Sequence, residues 1–101
     1  MFFNVMKAKD IVDLKDVEFE KEILLSHNDS SLNIIALKKD EIIDTHTSTC
    51  DAAVYVIEGE IEIQFASQNF KIDKGEILLF TKDTEHSVIA HKDSKFFVIK
   101  I

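Results

Sequence analysis

The chain has 101 residues with two Gly, no Pro and no Arg, and 46% of the residues are hydrophobic. This length corresponds to one domain, and the balance of apolar and charged residues is that of a folded protein. The net charge of −7 and the absence of Arg disfavour nucleic acid as a partner, because binding phosphates needs a basic face. The absence of Arg also disfavours sugar phosphates as ligands, although Lys can bind a phosphate group in place of Arg.

The single cysteine, Cys50, excludes an internal disulfide and is typical of a protein from a reducing compartment. The N-terminal residues lack the basic region and apolar run of a signal peptide, and no apolar run is long enough to span a membrane. We therefore expect a cytoplasmic protein with neither a membrane nor a nucleic acid as partner.

Strand signals dominate from residue 21 onward, because Ile, Val and Thr are frequent there and favour extended backbone. Residues 60–66 alternate between polar and apolar side chains, which is the pattern of a strand with one wet face. Residues 52–57 are almost continuously apolar and are expected to be buried on both faces. The predicted strands span residues 21–26, 32–37, 41–44, 52–57, 60–66, 70–73, 76–80, 86–91 and 95–101.

Short strands at spacings of about ten residues, with almost no helix, predict an all-β sandwich, barrel or jelly roll. Residues 7–19 can form one or two helical turns around Ile11 and Leu14. Residues 2–5, with the apolar Phe2, Phe3 and Val5, are suited to adding a strand to a partner's sheet, so we expect a homodimer. The alternatives for this segment are disorder and pairing within its own chain.

Two segments, residues 46–59 and 75–86, carry the motifs of the sequence. Here the chain resembles the cupin family of small jelly-roll barrels: His46 falls on the first His of that family's first motif, and Gly59 on its terminal Gly. Gly75 and His86 fall on the Gly and His of the second motif with unbroken spacing. The resemblance implies a single-domain cupin jelly-roll β-barrel of eight to ten strands over residues 21–101, with residues 1–20 as an N-terminal segment, strand or irregular, that pairs or swaps in the dimer. Both glycines are expected in tight turns with positive φ.

The chain departs from the family pattern at four positions. Ser48 stands at the second His of the first motif, and Ala52 stands at its Glu or Gln. In the second motif, Thr81 replaces the Pro and Asp83 replaces the Gly. The residues His46-Thr47 and Asp51-Ala52-x-Val54-x-Val56-Ile57-Glu58-Gly59 also resemble the first motif of a narrower group of small single-domain bacterial cupins. This resemblance implies that the loss of two ligand positions is that group's own pattern.

The resemblance implies at most a weak metal site. Family members that bind a metal hold it with three His and one Glu or Gln, and only His46 and His86 remain here. A divalent ion (Zn, Mn, Ni or Fe) would be weakly coordinated by two imidazoles. Cys50 or Asp51 is a candidate third ligand if the loop before the fourth strand folds inward.

The sequence predicts a pocket that contains six candidate residues and has an apolar wall. Ser48 is expected to be a pocket hydroxyl and not a nucleophile, and Asp51 has the alternative of satisfying backbone donors in a turn. The Phe residues are core, interface or pocket wall, so a His-, Ser- and Phe-lined cavity of modest polarity is expected. The candidate pocket residues are His46, Ser48, Cys50, Asp51, Ala52 and His86.

Three functions fit these residues. The first is binding of a small molecule without catalysis. The second is a metal-dependent enzyme of the dioxygenase or isomerase type that uses His46, His86 and a replacement ligand. The third is a metal-free enzyme in which His46 or His86 acts as general acid or base on a sugar or keto compound, because imidazole titrates near neutrality.

Overall fold

The structure, a computed structural model, describes residues 3–101 and is built almost entirely from β-strands. One 3-10 turn (Ala8–Asp10) precedes the first strand. All nine predicted strands are confirmed, with bounds that shift by at most three residues. The strands are β1 (Phe19–His27), β2 (Ser30–Leu37), β3 (Ile42–Thr47), β4 (Ala52–Glu58), β5 (Glu60–Phe65), β6 (Asn69–Asp73), β7 (Ile77–Phe80), β8 (Glu85–Ala90) and β9 (Ser94–Lys100).

The strands form two antiparallel sheets that face each other. One sheet has five strands in the order β1-β2-β9-β4-β7, and the other has four in the order β3-β8-β5-β6. Neighbours in each sheet are mostly far apart in sequence, which is the topology of a jelly roll. The predicted all-β jelly-roll fold is therefore confirmed. No helix within residues 3–101 is long and apolar enough to cross a membrane.

The main core lies between the two sheets and follows from the alternation of each strand. In β5, for example, Ile61 and Ile63 are fully buried while the polar residues between them point outward. The main core consists of Ile35, Leu37, Val54, Val56, Ile61, Ile63, Ile72, Val88, Ala90 and Phe96.

A second, smaller cluster covers one end of the outer face of the five-stranded sheet. Val12 is 1% exposed and packs with Ile34 and Ala36 of β2. Residues 3–7 lie in no strand, and Phe3 and Val5 are exposed. Met1 and Phe2 lie outside the described residues, so pairing of this segment with a second copy stays a prediction.

The expectation that β4 is buried on both faces is wrong for its outward face. Val54 and Val56 are buried, but Tyr55 between them is 36% exposed. The reason is that the segment around Val12 covers only one end of this sheet, so the apolar outer face at β4 and β7 stays in contact with solvent. Ile77 and Leu79 of β7 lie on the same exposed face, opposite Tyr55 and Ala53.

The turns confirm the predicted backbone conformation of both glycines. Gly59 has a φ of 87° and Gly75 a φ of 86°. Asp83, at the position of the family's second-motif Gly, also adopts a positive φ of 66°, as do three other Asp and Asn residues. Asn and Asp tolerate this region better than other residues with a Cβ, and so they make turns that Gly makes elsewhere.

Candidate functional site

A cavity of about 140 Å³ lies between the two sheets, and both motif histidines line it. His46 of β3 and His86 of β8 are direct partners in the strand register, and their ring centroids are 4.2 Å apart. His86 is 6% exposed, whereas His46 is exposed. His86 therefore lies inside the cavity, and His46 lies where the cavity meets solvent.

A β-bulge in β3 places His46 in the cavity. Ile43 pairs with Val88 and His46 pairs with His86, so three steps along β3 match two steps along β8. In a regular strand, residues three apart point to opposite faces. The extra residue of the bulge turns both Ile43 and His46 inward, where both line the cavity.

Both imidazoles are held in one tautomer by the backbone. The Nδ1 atom of His46 is 2.9 Å from the Asp44 carbonyl oxygen, and the Nδ1 atom of His86 is 2.9 Å from the Thr84 carbonyl oxygen. A carbonyl oxygen can only accept, so each Nδ1 carries the proton and donates it. In the neutral form, each ring is therefore left with an unprotonated Nε2 that can accept a hydrogen bond or bind a metal.

Burial lowers the pKa of His86 below its usual value of 6.5, because the charged imidazolium would lose its hydration there. The hydrogen bond to Thr84 opposes this shift, and the nearby positive charges of His46 and Lys100 add to it. The rings of Phe80 and Phe65 pack against His86, with centroids 4.7 and 6.0 Å from its own. His86 is consequently a neutral base in an aromatic setting at pH 7.

Of the other predicted pocket residues, Ser48 and Ala52 line the cavity. The Ser48 hydroxyl donates to the Cys50 carbonyl oxygen at 2.8 Å and accepts from the Cys50 amide at 3.2 Å. These contacts commit the hydroxyl to the turn before β4. Ser48 therefore shapes the wall and offers little hydrogen-bonding capacity to a ligand.

Cys50 and Asp51 do not line the cavity. The buried Cys50 thiol donates to the Asp29 carbonyl oxygen at 3.1 Å. The exposed Asp51 carboxylate accepts from the Lys82 amide at 2.9 Å, which is the turn role given as the alternative for this residue. The loop thus does not fold inward, and neither candidate third ligand is brought to the two histidines.

Two lysines line the cavity that were absent from the predicted pocket. Lys100 continues the inward alternation of Phe96 and Val98 along β9, and Lys21 of β1 pairs with the inward-facing Ile35. The cavity is therefore more polar and more cationic than the expected His-, Ser- and Phe-lined space. The alternation of β9 in the sequence could have predicted that Lys100 faces the cavity. The inward position of Lys21 could not be predicted in this way, because it depends on how β1 pairs with β2.

Phenylalanines and branched aliphatic residues make up most of the wall. Phe80 and Phe96 line the cavity, as does Phe19. Phe97 packs instead on the outer face of the sheet, in the cluster around Val12. Three of the phenylalanine rings, on three different strands, thus form part of an apolar cavity wall, as expected.

The donor set does not fit a divalent metal held by this chain alone. Within residues 3–101, no group of three or more His, Cys, Asp and Glu side chains is placed to hold a metal ion. The other polar side chains of the wall are Ser48 and Asn33, and the Asn33 amide donates to Ser31 and Val98. The ammonium groups of Lys21 and Lys100 would repel a cation.

The fold and the cavity together define a small jelly-roll barrel with a histidine-lined space between its sheets. Residues 33–101 match the family model of the Cupin domain, Cupin_2. Because this match covers more than half of the chain, the protein belongs to the cupin family. No curated protein matches the sequence.

Solved structures show the same fold. A cupin superfamily protein from Desulfitobacterium hafniense DCB-2 is similar with a TM-score of 0.84 and 13% identity, over 89% of this chain and 83% of that chain. A cupin-2 domain containing protein from Shewanella frigidimarina NCIMB 400 gives 0.79 and 23%, over 95% and 93%. A cupin 2 conserved barrel domain protein from Leptotrichia buccalis gives 0.85 and 24%, over 98% of this chain and 47% of that one. At these identities the likeness shows the fold alone.

Proposed function

We propose that this cupin binds a small molecule in the cavity between its sheets, with no catalytic step of its own. The observation that carries the proposal is a mostly apolar cavity of about 140 Å³ on which a few polar groups converge. Ligand sites have this composition, because apolar walls supply affinity and a few polar groups fix orientation. The volume suits a small ligand, since a cavity of about 150 Å³ holds a molecule the size of benzene.

A metal-dependent enzyme of the dioxygenase or isomerase type is the second candidate. The observation in its favour is that His46 and His86 both present an unprotonated Nε2, which is the form that binds a metal. Against it, Cys50 and Asp51 make other contacts, and two ammonium groups share the cavity wall. We therefore rank resident metal chemistry below binding.

A metal-free acid or base role on a sugar or keto compound is the third candidate. The lowered pKa of His86 favours it, because a neutral imidazole can accept a proton from a bound substrate. General base catalysis also needs a group that stabilises the charge formed on the substrate. Lys100 on the same wall is the cation available for that purpose.

The test of binding is a thermal-shift screen of small metabolites on two alanine variants. Ala52 lines the cavity, and its neighbour Ala53 points to the opposite face. A compound at about 100 times its Kd should stabilise the protein by about 2.7 kcal/mol. We expect this shift to persist in Ala53→Leu and to vanish in Ala52→Leu, which fills the cavity. No shift with any compound, or equal shifts in both variants, would overturn the proposal.

We also propose that a second copy of the chain covers the outer face of β4 and β7. Tyr55, Ile77 and Leu79 form an apolar and exposed patch there, and Ile77 and Leu79 belong to the four-residue edge strand β7. Light scattering should give a dimer mass for the wild type and a monomer mass for Leu79→Lys. The matched control is Ile42→Lys, on the other sheet, which should stay dimeric. A monomeric wild type would refute the dimer.

A cytoplasmic location completes the proposal. Cys50 is buried and in no disulfide, which suits a reducing compartment. With a net charge of −7, the chain should bind neither nucleic acid nor an anionic membrane surface. Fractionation of cells that express the tagged protein would locate it, and recovery in a membrane or secreted fraction would contradict this assignment.

A further inference from the structure

The charge of the cavity is opposite to that of the whole chain. Lys21 and Lys100 line it together with the two histidines, although the protein carries a net charge of −7. No Asp or Glu side chain lines the cavity among residues 3–101. The described ion pairs of lysine use Lys71 and Lys95, both outside the cavity. Lys100 is thus half-buried beside an apolar wall without a carboxylate partner in the described chain.

The positive charge that Lys100 brings to a mostly apolar wall favours an anionic ligand. Removing a charge from water is costly unless an opposite charge replaces the lost hydration. A carboxylate that enters the cavity would replace it for Lys100, and the exposed Lys21 would add positive potential at the edge of the site. A neutral or cationic ligand would leave Lys100 unpaired, so the cavity discriminates by charge.

The two imidazoles add a second requirement. Each Nδ1 proton is already donated to a backbone carbonyl, so each Nε2 can only accept. A carboxylate oxygen also only accepts, and therefore it cannot satisfy a neutral imidazole. The ligand must bring a donor of its own, and a hydroxyl group is the simplest donor on a small anion.

We propose that the ligand is a small hydroxycarboxylic acid, whose carboxylate pairs with Lys100 and whose hydroxyl donates to Nε2 of His86. This inference rests on the proposed binding function and names its ligand class. The short carbon chain of such an acid contacts the aliphatic and phenylalanine side chains of the wall. A cavity of about 140 Å³ limits that chain to a few carbon atoms.

Three matched compounds test each group of the ligand on the wild-type protein by titration calorimetry. 2-Hydroxybutyrate has both groups, butyrate lacks the hydroxyl, and 2-hydroxybutyramide lacks the charge. We expect 2-hydroxybutyrate to bind about tenfold or more tightly than either of the others, as lost charge-assisted hydrogen bonds imply. This ranking needs no substitution and so does not depend on whether a variant folds.

Two variants then assign the groups. Lys100→Met should weaken 2-hydroxybutyrate about tenfold and abolish its advantage over the amide. His86→Leu should abolish its advantage over butyrate and keep its advantage over the amide. Lys92→Met is the control, because Lys92 is exposed in the turn before β9 and does not line the cavity; it should bind like the wild type.

The outcomes separate this inference from the binding function. Equal affinity for the acid and the amide, or a screen in which only neutral or cationic compounds bind at the Ala52 cavity, would overturn the hydroxy acid and leave binding intact. If butyrate binds as tightly as 2-hydroxybutyrate, the role given to His86 is wrong. If no compound of any charge binds, both proposals fail.

Discussion

Replacing each glycine by alanine separates backbone strain from steric conflict. Gly59 and Gly75 have nearly equal φ values, 87° and 86°, so an alanine at either position pays the same conformational cost. Their surroundings differ. A Cβ atom on Gly75 meets nothing within 4 Å, whereas on Gly59 it lies 2.8 Å from Ser94 Cα and closer still to Ser94 Oγ and the Asp93 carbonyl oxygen.

The magnitudes follow from these two environments. Positive φ costs an alanine about 1–2 kcal/mol, and reduced freedom of the unfolded chain returns about 0.4–1 kcal/mol. Gly75→Ala should therefore lower the free energy of unfolding by about 1 kcal/mol, or the melting temperature by about 4–8 °C. Gly59→Ala adds an overpacking cost of about 1–3 kcal/mol.

Ser94 increases the cost at Gly59. Its buried hydroxyl has one proton, for which the carbonyl oxygens of Lys92, at 2.7 Å, and Glu60, at 3.1 Å, compete as acceptors, and its oxygen accepts from the Glu60 amide at 3.0 Å. Moving Ser94 aside to admit a methyl group weakens this hydrogen bonding, at a cost of about 1 kcal/mol. The total loss for Gly59→Ala is then about 3–5 kcal/mol, a large part of the stability of a domain of this size.

Urea unfolding followed by circular dichroism measures both variants on the same scale. We expect Gly59→Ala to be less stable than Gly75→Ala by at least about 2 kcal/mol, with similar denaturant slopes. If the two alanine variants lose the same stability within about 0.5 kcal/mol, the steric role of Ser94 is refuted and only the φ requirement remains.

Three further predictions follow from the site and its turns. Because burial lowers the pKa of His86, the contribution of this residue to stability is complete above about pH 6.5 and is lost as the pH falls from there toward the folded pKa. The variant His86→Gln should therefore flatten the dependence of the unfolding free energy on pH in that range. An unchanged slope would contradict this assignment. Added Zn, Mn, Ni or Fe(II) should leave the melting temperature of the wild type unchanged, and stoichiometric metal that is lost in both His46→Ala and His86→Ala would show that the donor set suffices. Asp83→Gly should raise the free energy of unfolding slightly, by at most about 1 kcal/mol, because glycine adopts the φ of 66° without strain. If the variant instead loses more than about 0.5 kcal/mol of unfolding free energy, the Asp83 side chain has a structural role.

The strands were predictable because their signals are local. Alternation in β5 and the polar turns between strands depend only on neighbouring residues, and burial on one face follows from them. The outward face of β4 was not predictable in this way, because its exposure depends on how far the N-terminal segment reaches across the sheet. That reach is a property of tertiary packing around Val12.

The site was only partly predictable. The family resemblance brought His46 and His86 together, and the register of β3 and β8 places them side by side. The directions of Cys50 and Asp51 could not be read from the sequence, because loop residues have no alternation to fix them. The charge of the cavity depends on Lys21 and Lys100, which lie about 80 residues apart in sequence on strands that β2 joins.

The bulge in β3 makes the content of the cavity depend on chain length at one point. Removing one residue between Ile43 and His46 would restore the regular two-residue period, with Ile43 still opposite Val88 and His46 still inward opposite His86. Inserting one residue there, with the bulge kept, would instead turn the His46 imidazole to the outer surface, while Ile43 and the rest of the core keep their partners. A single codon gained at residues 44–45 can thus turn one of the two imidazoles out of a barrel of this kind, whereas a codon lost there removes only the bulge.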